Sequence, residues 1–207
     1  MGLPILIIGK SGSGKSASLR NFNDIGLINV LGKQLPFKNN IKSINTDRYA
    51  DIKALLLKGK ALSYCIDDAG YLMTNQFMKG HSSSGSGNAI FSFYNNIGDE
   101  FWNLIYFIVK ELPDNKIVYL TMHEDKNDFG DIKPKSIGKM LDEKVCIEGL
   151  FTIVLRAMKE NKDYIFKTQS DGFDVAKSPI GLFDEIIEND LKMVDDKIRE
   201  YYNIKGE

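Results

Sequence analysis

Gly9-Lys10-Ser11-Gly12-Ser13-Gly14-Lys15-Ser16 is the stretch that decides how this chain folds. Its spacing is G-x-x-x-x-G-K-[ST], and its flanks suit that pattern. The short, branched, apolar run at residues 3–8 reads as a strand buried on both faces, and residues 16–22 read as a helix. Glycines at such a turn let successive backbone N–H groups point inward, and a following helix N-terminus adds positive potential, so the segment predicts an anion cradle. In such a P-loop, Lys15 bridges the β and γ phosphates of a nucleoside triphosphate, the Ser16 hydroxyl ligates magnesium, and the residues from Gly9 to Ala17 surround the phosphates.

Beyond this loop, strands and helices alternate. A strand is expected at residues 26–31, a loop around Pro36 and Lys38-Asn39-Asn40, and a helix at 49–58 with Thr46-Asp47 as its N-cap and Gly59 as its stop. Residues 61–66 form a compact apolar run ending in Asp67-Asp68, a central strand that delivers carboxylates at its C-terminal end. Residues 79–88, rich in glycine and serine, have the composition of a mobile loop. An apolar, aromatic helix at 97–110 stops near Pro113, and a strand at 116–122 ends in His123-Glu124-Asp125. The rest predicts a helix at 137–144, a β-hairpin from strands at 149–158 and 164–169, and an amphipathic helix at 185–202. The expected fold class is α/β: one domain over residues 1–207, a mainly parallel sheet flanked by helices, with a C-terminal β-hairpin.

Composition narrows the function classes. The chain has 207 residues, 43% hydrophobic and 27% charged, as in an ordinary globular domain. With 27 Lys and Arg against 28 Asp and Glu, the net charge is −1, so any nucleic-acid contact has to come from a local patch. Cys65 and Cys146 each sit in an apolar run, which predicts reduced, buried thiols rather than a disulfide. The N-terminus lacks the basic start and cleavage site of a signal peptide, and no stretch approaches the length of a membrane span, so a cytoplasmic location without membrane contact is expected. Two cysteines and two histidines without ligand spacing point to no metal beyond magnesium.

The other candidate site residues lie at strand ends. Asp67 ends its strand where the second magnesium-linked carboxylate of a P-loop site belongs, the Walker B role. Asp68 either polarises the attacking water or only caps the next turn. His123 and Glu124 follow the strand at 116–122, so a parallel sheet brings them to the same edge. One of them, or Thr121, can contact the γ-phosphate or orient water, and Glu124 is the second choice of catalytic base. The separation of the loop from Asp67 suits an ATPase branch, in which an additional strand separates the two motif strands, better than a nucleotide kinase. A kinase also calls for an arginine-rich lid, whereas Arg20, Arg48, Arg156 and Arg199 are scattered. No base-reading N-K-x-D motif is visible, so ATP is favoured over GTP.

Gly9 to Ser16, Asp67-Asp68-Ala69-Gly70, Thr121-Met122-His123-Glu124 and Thr168-Gln169-Ser170-Asp171-Gly172 together resemble the AAA-type, RecA-core ATP-binding proteins of bacteriophages. The resemblance implies a magnesium-dependent ATPase in phage recombination or replication, working as a homo-oligomer in the cytoplasm of the bacterial host. Its partners would be single-stranded DNA or an annealing, single-strand-binding or helicase protein. In RecA-like enzymes a neighbouring subunit often supplies a cation to the γ-phosphate, and Arg156 and Lys167 on the hairpin are the candidates, with a solvated strand face as the alternative. The 79–88 loop with Phe91, Phe93 and Tyr94 is a candidate DNA contact, the alternative being a spacer before a core-facing helix. Two other functions stay open: a small-molecule or nucleotide kinase, and a nucleotide-dependent protein switch without DNA.

Overall fold

The computed structural model describes residues 1–127, 129–137 and 145–206. Among them, nine strands form one sheet: β1 (Leu3–Gly9), β2 (Gly26–Asn29), β3 (Ser43–Asn45), β4 (Ser63–Asp67), β5 (Ile117–Lys126), β6 (Ile132–Pro134), β7 (Ile153–Glu160), β8 (Asp163–Lys167) and β9 (Ile186–Glu188). The α-helices described are α1 (Tyr49–Lys58), α2 (Tyr71–Gly80), α3 (Asn88–Glu111) and α4 (Leu191–Tyr202). The strand order is β3-β2-β4-β5-β1-β7-β8-β9, with β6 paired to β5. Every pair from β3 to β7 is parallel, and the β7–β8 and β8–β9 pairs are antiparallel. The chain is therefore α/β with a mostly parallel sheet flanked by helices. β7 and β8 form the expected hairpin, turning through Asn161-Lys162 with Asn161 at φ 53°.

Alternation along the central strands builds two cores. Leu6 and Ile8 of β1, Tyr64 and Ile66 of β4, and Val118, Leu120 and Met122 of β5 face α1, α2 and α3. Ile5 and Ile7, Cys65, Ile117 and Tyr119 face the opposite layer, made by Leu19 and Phe22 with Leu191, Val194 and Ile198 of α4. Strands covered on both faces read as unbroken apolar runs, which is why β1 and β4 were visible in the sequence.

Several boundaries differ from expectation. The segment after the glycine loop is a six-residue 3-10 helix, Ser16–Asn21, not an α-helix, because Asn21, Asn23 and Asp24 turn the chain at once into β2. Residues 185–202 are not one helix. Ile186–Glu188 extends the sheet as β9, and α4 begins only after Asp190, whose carboxylate accepts from the Lys192 and Met193 N–H groups. Thr46-Asp47 does not cap α1. Arg48 holds the cap position without a side-chain bond, while Asp47 is taken by Asn75 and Lys79. Lys79-Gly80 ends α2, His81–Ser83 is a 3-10 turn and α3 begins at Asn88, so only Ser84 to Gly87 lies outside helix. Packing explains this: Phe77 stacks on His81 and Tyr94 and touches Phe93. Cys65 is buried and free as expected, but Cys146 is exposed and free, its neighbour Ile147 being the buried residue. The helix expected at 137–144 lies, but for Ile137, outside the described residues. No helix among the described residues is long and apolar enough to cross a membrane.

At the end of the sheet away from the glycine loop, α4 is tied down by a buried polar cluster. Asp195 accepts hydrogen bonds from Ser63 (2.6 Å), Tyr119 (2.9 Å) and Arg199 (2.7 Å), and Arg199 also donates to the carbonyls of Leu62 and Asn115. Asp195→Ala leaves a largely buried guanidinium and a buried phenol without their acceptor. It is expected to lower the unfolding free energy by about 3 kcal/mol, read as a fall in the urea midpoint at unchanged slope.

Candidate functional site

Parallel register brings the candidate residues to one edge. β1 pairs with β5 from Leu3 opposite Ile117 to Gly9 opposite His123, and β2 pairs with β4 so that Asn29 stands opposite Asp67. Ile8 stands opposite Arg156, which in turn stands opposite Lys167 across the hairpin. The glycine loop leaves β1 at this edge, beside the ends of β4, β5 and β7.

The loop's shape depends on two glycines with left-handed backbone. Gly12 has φ +76° and Gly14 φ +98°. A side chain on Gly12 would meet open space, whereas one on Gly14 would come within 2.7 Å of the Tyr164 ring and 3.2 Å of the Asn189 amide nitrogen. The loop thus rests against the hairpin on one side and is open on the other. Lys15 is buried and donates to the carbonyls of Gly9 (2.8 Å) and Lys10 (2.9 Å), so its ammonium lies under the arch of its own loop. Burial pushes the Lys15 ammonium below its ordinary value of 10.5, against the pull of Asp68 and Asp67. With only a short 3-10 helix behind the loop, a helix dipole adds little. The positive potential comes from the loop amides and Lys15.

Asp67 connects the loop to the sheet. Its carboxylate accepts from Ser16 Oγ (2.8 and 3.0 Å) and from Thr121 Oγ1 (2.7 Å), and it is 5% exposed. Burial raises its pKa above 3.8, the Thr121 hydrogen bond working against that. Asp68, the next residue, adopts φ 60°, a conformation that aspartate tolerates better than most residues. Its N–H donates to Thr121 Oγ1 (2.8 Å), so one buried hydroxyl holds the Asp67 carboxylate and the Asp68 backbone. The Asp68 carboxylate pairs with Lys33 at 2.8 Å and lies 3.9 Å from His123 Nε2. Burial and the nearby Lys15 charge lower the His123 pKa, leaving the imidazole neutral near pH 7.

No family model matches the chain, and no curated protein matches it.

The remaining candidates form an ion network beside this cluster. Glu124 is gripped by Arg156 through both oxygens (2.8 and 3.1 Å), and Arg156 reaches Asp174 at 3.3 Å. Lys167 pairs with Asp171 (2.8 Å) and Asp174 (3.0 Å). Arg156 and Lys167 therefore stand in one internal ion network rather than on a solvated strand face. Burial opposes the Lys167 charge, but the Asp171 and Asp174 bonds outweigh it and raise its pKa. Next to the loop, a cavity of about 550 Å³ is lined by Lys10, Ser11, Tyr71, His123, Glu124 and Lys135, among others.

Lys15, Ser16 and Asp67, expected from glycine spacing and strand-end position, meet at one edge of the sheet, with the Ser16 hydroxyl on the Asp67 carboxylate. Thr121, expected as a phosphate or water contact, is fully buried, and its hydroxyl donates to the Asp67 carboxylate and accepts from the Asp68 N–H. Lys33 and Asp174 carried no signal, since each acts through a contact made only when distant loops meet.

Proposed function

We propose that this chain is a P-loop ATPase of the RecA-like, additional-strand type, binding magnesium and ATP on the Gly9–Ala17 loop. The observation that carries the reading is the Ser16–Asp67 contact, a hydroxyl and a carboxylate 51 residues apart meeting beside the loop's buried lysine. Hydroxyl and carboxylate oxygens are the hard donors that magnesium selects, and the loop's open side at Gly12 has room for phosphate. The strand order supports the same branch, because β5 separates β1 from β4.

In this reading Ser16 and Asp67 hold the metal, which when bound neutralises charge on the phosphate oxygens. Lys15 leaves the Gly9 and Lys10 carbonyls and pairs with the phosphates. Asp68 orients and polarises the attacking water, and neutral His123 donates a hydrogen bond towards the γ-phosphate. Glu124, held by Arg156, lines the same cavity and is a positioning group. All four arginines are paired within the chain, Arg20 with Glu188, Arg48 with Asp51, Arg156 with Glu124 and Asp174, and Arg199 with Asp195. They are scattered along the chain rather than grouped as an arginine-rich lid, which favours hydrolysis over kinase chemistry. A role with single-stranded DNA and a phage annealing, single-strand-binding or helicase protein, as a homo-oligomer, follows from the resemblance alone. On the surface suggested for DNA, Lys79 is paired with Asp47, and Phe91 is the ring left most exposed.

Two measurements test the reading. Lys15→Ala is expected to abolish magnesium–ATP uptake in calorimetry. Asp68→Asn is expected to keep uptake while slowing phosphate release by about 100-fold or more. Uptake unchanged by Lys15→Ala would refute the assignment, and phosphate release stimulated by an oligonucleotide would support the DNA-linked role. The pH dependence has a definite sign. Binding needs Asp67 ionised and Lys15 protonated in the free protein. Burial raises the first pKa above 3.8 and lowers the second below 10.5. Affinity should therefore fall on the acid side at a pH higher than an ordinary aspartate gives. On the alkaline side it should fall at a pH lower than an ordinary lysine gives, as read from fluorescent-nucleotide titrations across pH.

A further inference from the structure

Asn189 is fully buried, and both polar atoms of its side chain, Nδ2 and Oδ1, lack a hydrogen-bond partner. Buried amides are almost always paired, and each unmet atom costs about 1–3 kcal/mol. The place of the residue makes the cost informative. Its amide nitrogen lies 3.2 Å from where a Cβ on Gly14 would stand, directly under the glycine loop, with the Tyr164 ring beside it. A second buried atom without a partner belongs to the loop itself, Ser13 Oγ.

The backbone around Asn189 is held firmly. Its N–H donates to the Tyr164 carbonyl (3.2 Å), and its own carbonyl accepts from Arg20, which also pairs with Glu188 (2.8 Å). Asn21 donates to Asp190 at 2.6 Å. The carboxamide is thus presented from a fixed platform at the β9–α4 junction. What can move is the peptide chain above it, where Gly12 and Gly14 give the loop backbone its freedom.

We propose that Asn189 is a positioning residue for the phosphate loop: when nucleotide binds, the Ser13–Gly14 stretch settles onto the carboxamide, which donates to a loop carbonyl. The unliganded loop carries the cost of the unmet amide, and the liganded loop is relieved of it. Asn189 thereby adds to nucleotide affinity without touching nucleotide. The inference rests on the reading of Gly9–Ala17 as a phosphate site.

The test compares the full-length wild type with Asn189→Leu, which keeps the volume and removes both polar atoms. Two quantities are measured: thermal stability without ligand, and affinity for magnesium with a non-hydrolysable ATP analogue. A purely structural asparagine would lose stability on substitution and leave affinity alone. The positioning role predicts the reverse, an unliganded melting temperature equal to or above wild type and an affinity about tenfold weaker, about 1.4 kcal/mol. Unchanged affinity in Asn189→Leu beside a wild type that binds would overturn the inference while leaving the phosphate site standing. A wild type that takes up no nucleotide would defeat both. If Asn189→Leu does not fold, Asn189→Ala serves in the same comparison, and loss of stability with unchanged affinity would again overturn the proposal.

Discussion

A carboxylate withdrawn from water at the end of β4 organises this end of the molecule. Asp67 is buried, and burial alone would favour its neutral form, so its charge depends on the hydroxyls of Ser16 and Thr121. Those two contacts join three separate elements: the segment after the glycine loop, the end of β4 and the middle of β5. Thr121 also accepts from the Asp68 N–H, beside the left-handed backbone of that residue. One buried anion, with the groups that satisfy it, aligns the loop with the sheet edge.

Parallel pairing makes this alignment possible. Strands running in one direction deliver their C-terminal ends to one edge, and the β1–β5 and β2–β4 registers set Gly9 beside His123 and Asn29 beside Asp67. Past β7 the pairing turns antiparallel, and the hairpin contributes a different chemistry. Arg156 and Lys167 are consumed by Glu124, Asp171 and Asp174, so the cations nearest the loop on that side hold the fold together. Beneath the loop, the Asn189 carboxamide and the Ser13 hydroxyl are buried without a partner.

Much of this was legible in the chain itself. The glycine spacing, the branched apolar runs of β1, β4 and β5, and the hairpin around Asn161-Lys162 are local patterns, set by backbone sterics and by burial on both faces of a sheet. They were enough to give the α/β class and to bring Lys15, Ser16 and Asp67 forward as neighbours at one sheet edge. Local pattern failed where a contact competed with it. Asp47 has the chemistry of a cap yet serves Asn75 and Lys79, and the glycine-serine segment that reads as a loop is shortened to four residues by the stacking of Phe77 on His81 and Tyr94.

The sequence by itself determined the order of elements, the glycine-loop spacing and the acidic strand end, because each is written in neighbouring residues. Only the tertiary structure decided that Thr121 holds the Asp67 carboxylate, that Lys33 pairs with Asp68, that Arg156 and Lys167 are spent on Asp174, and that Asn189 lies unpaired beneath Gly14. Those facts concern residues far apart in the chain, and the energy of a buried charge or amide is set by what surrounds it in space.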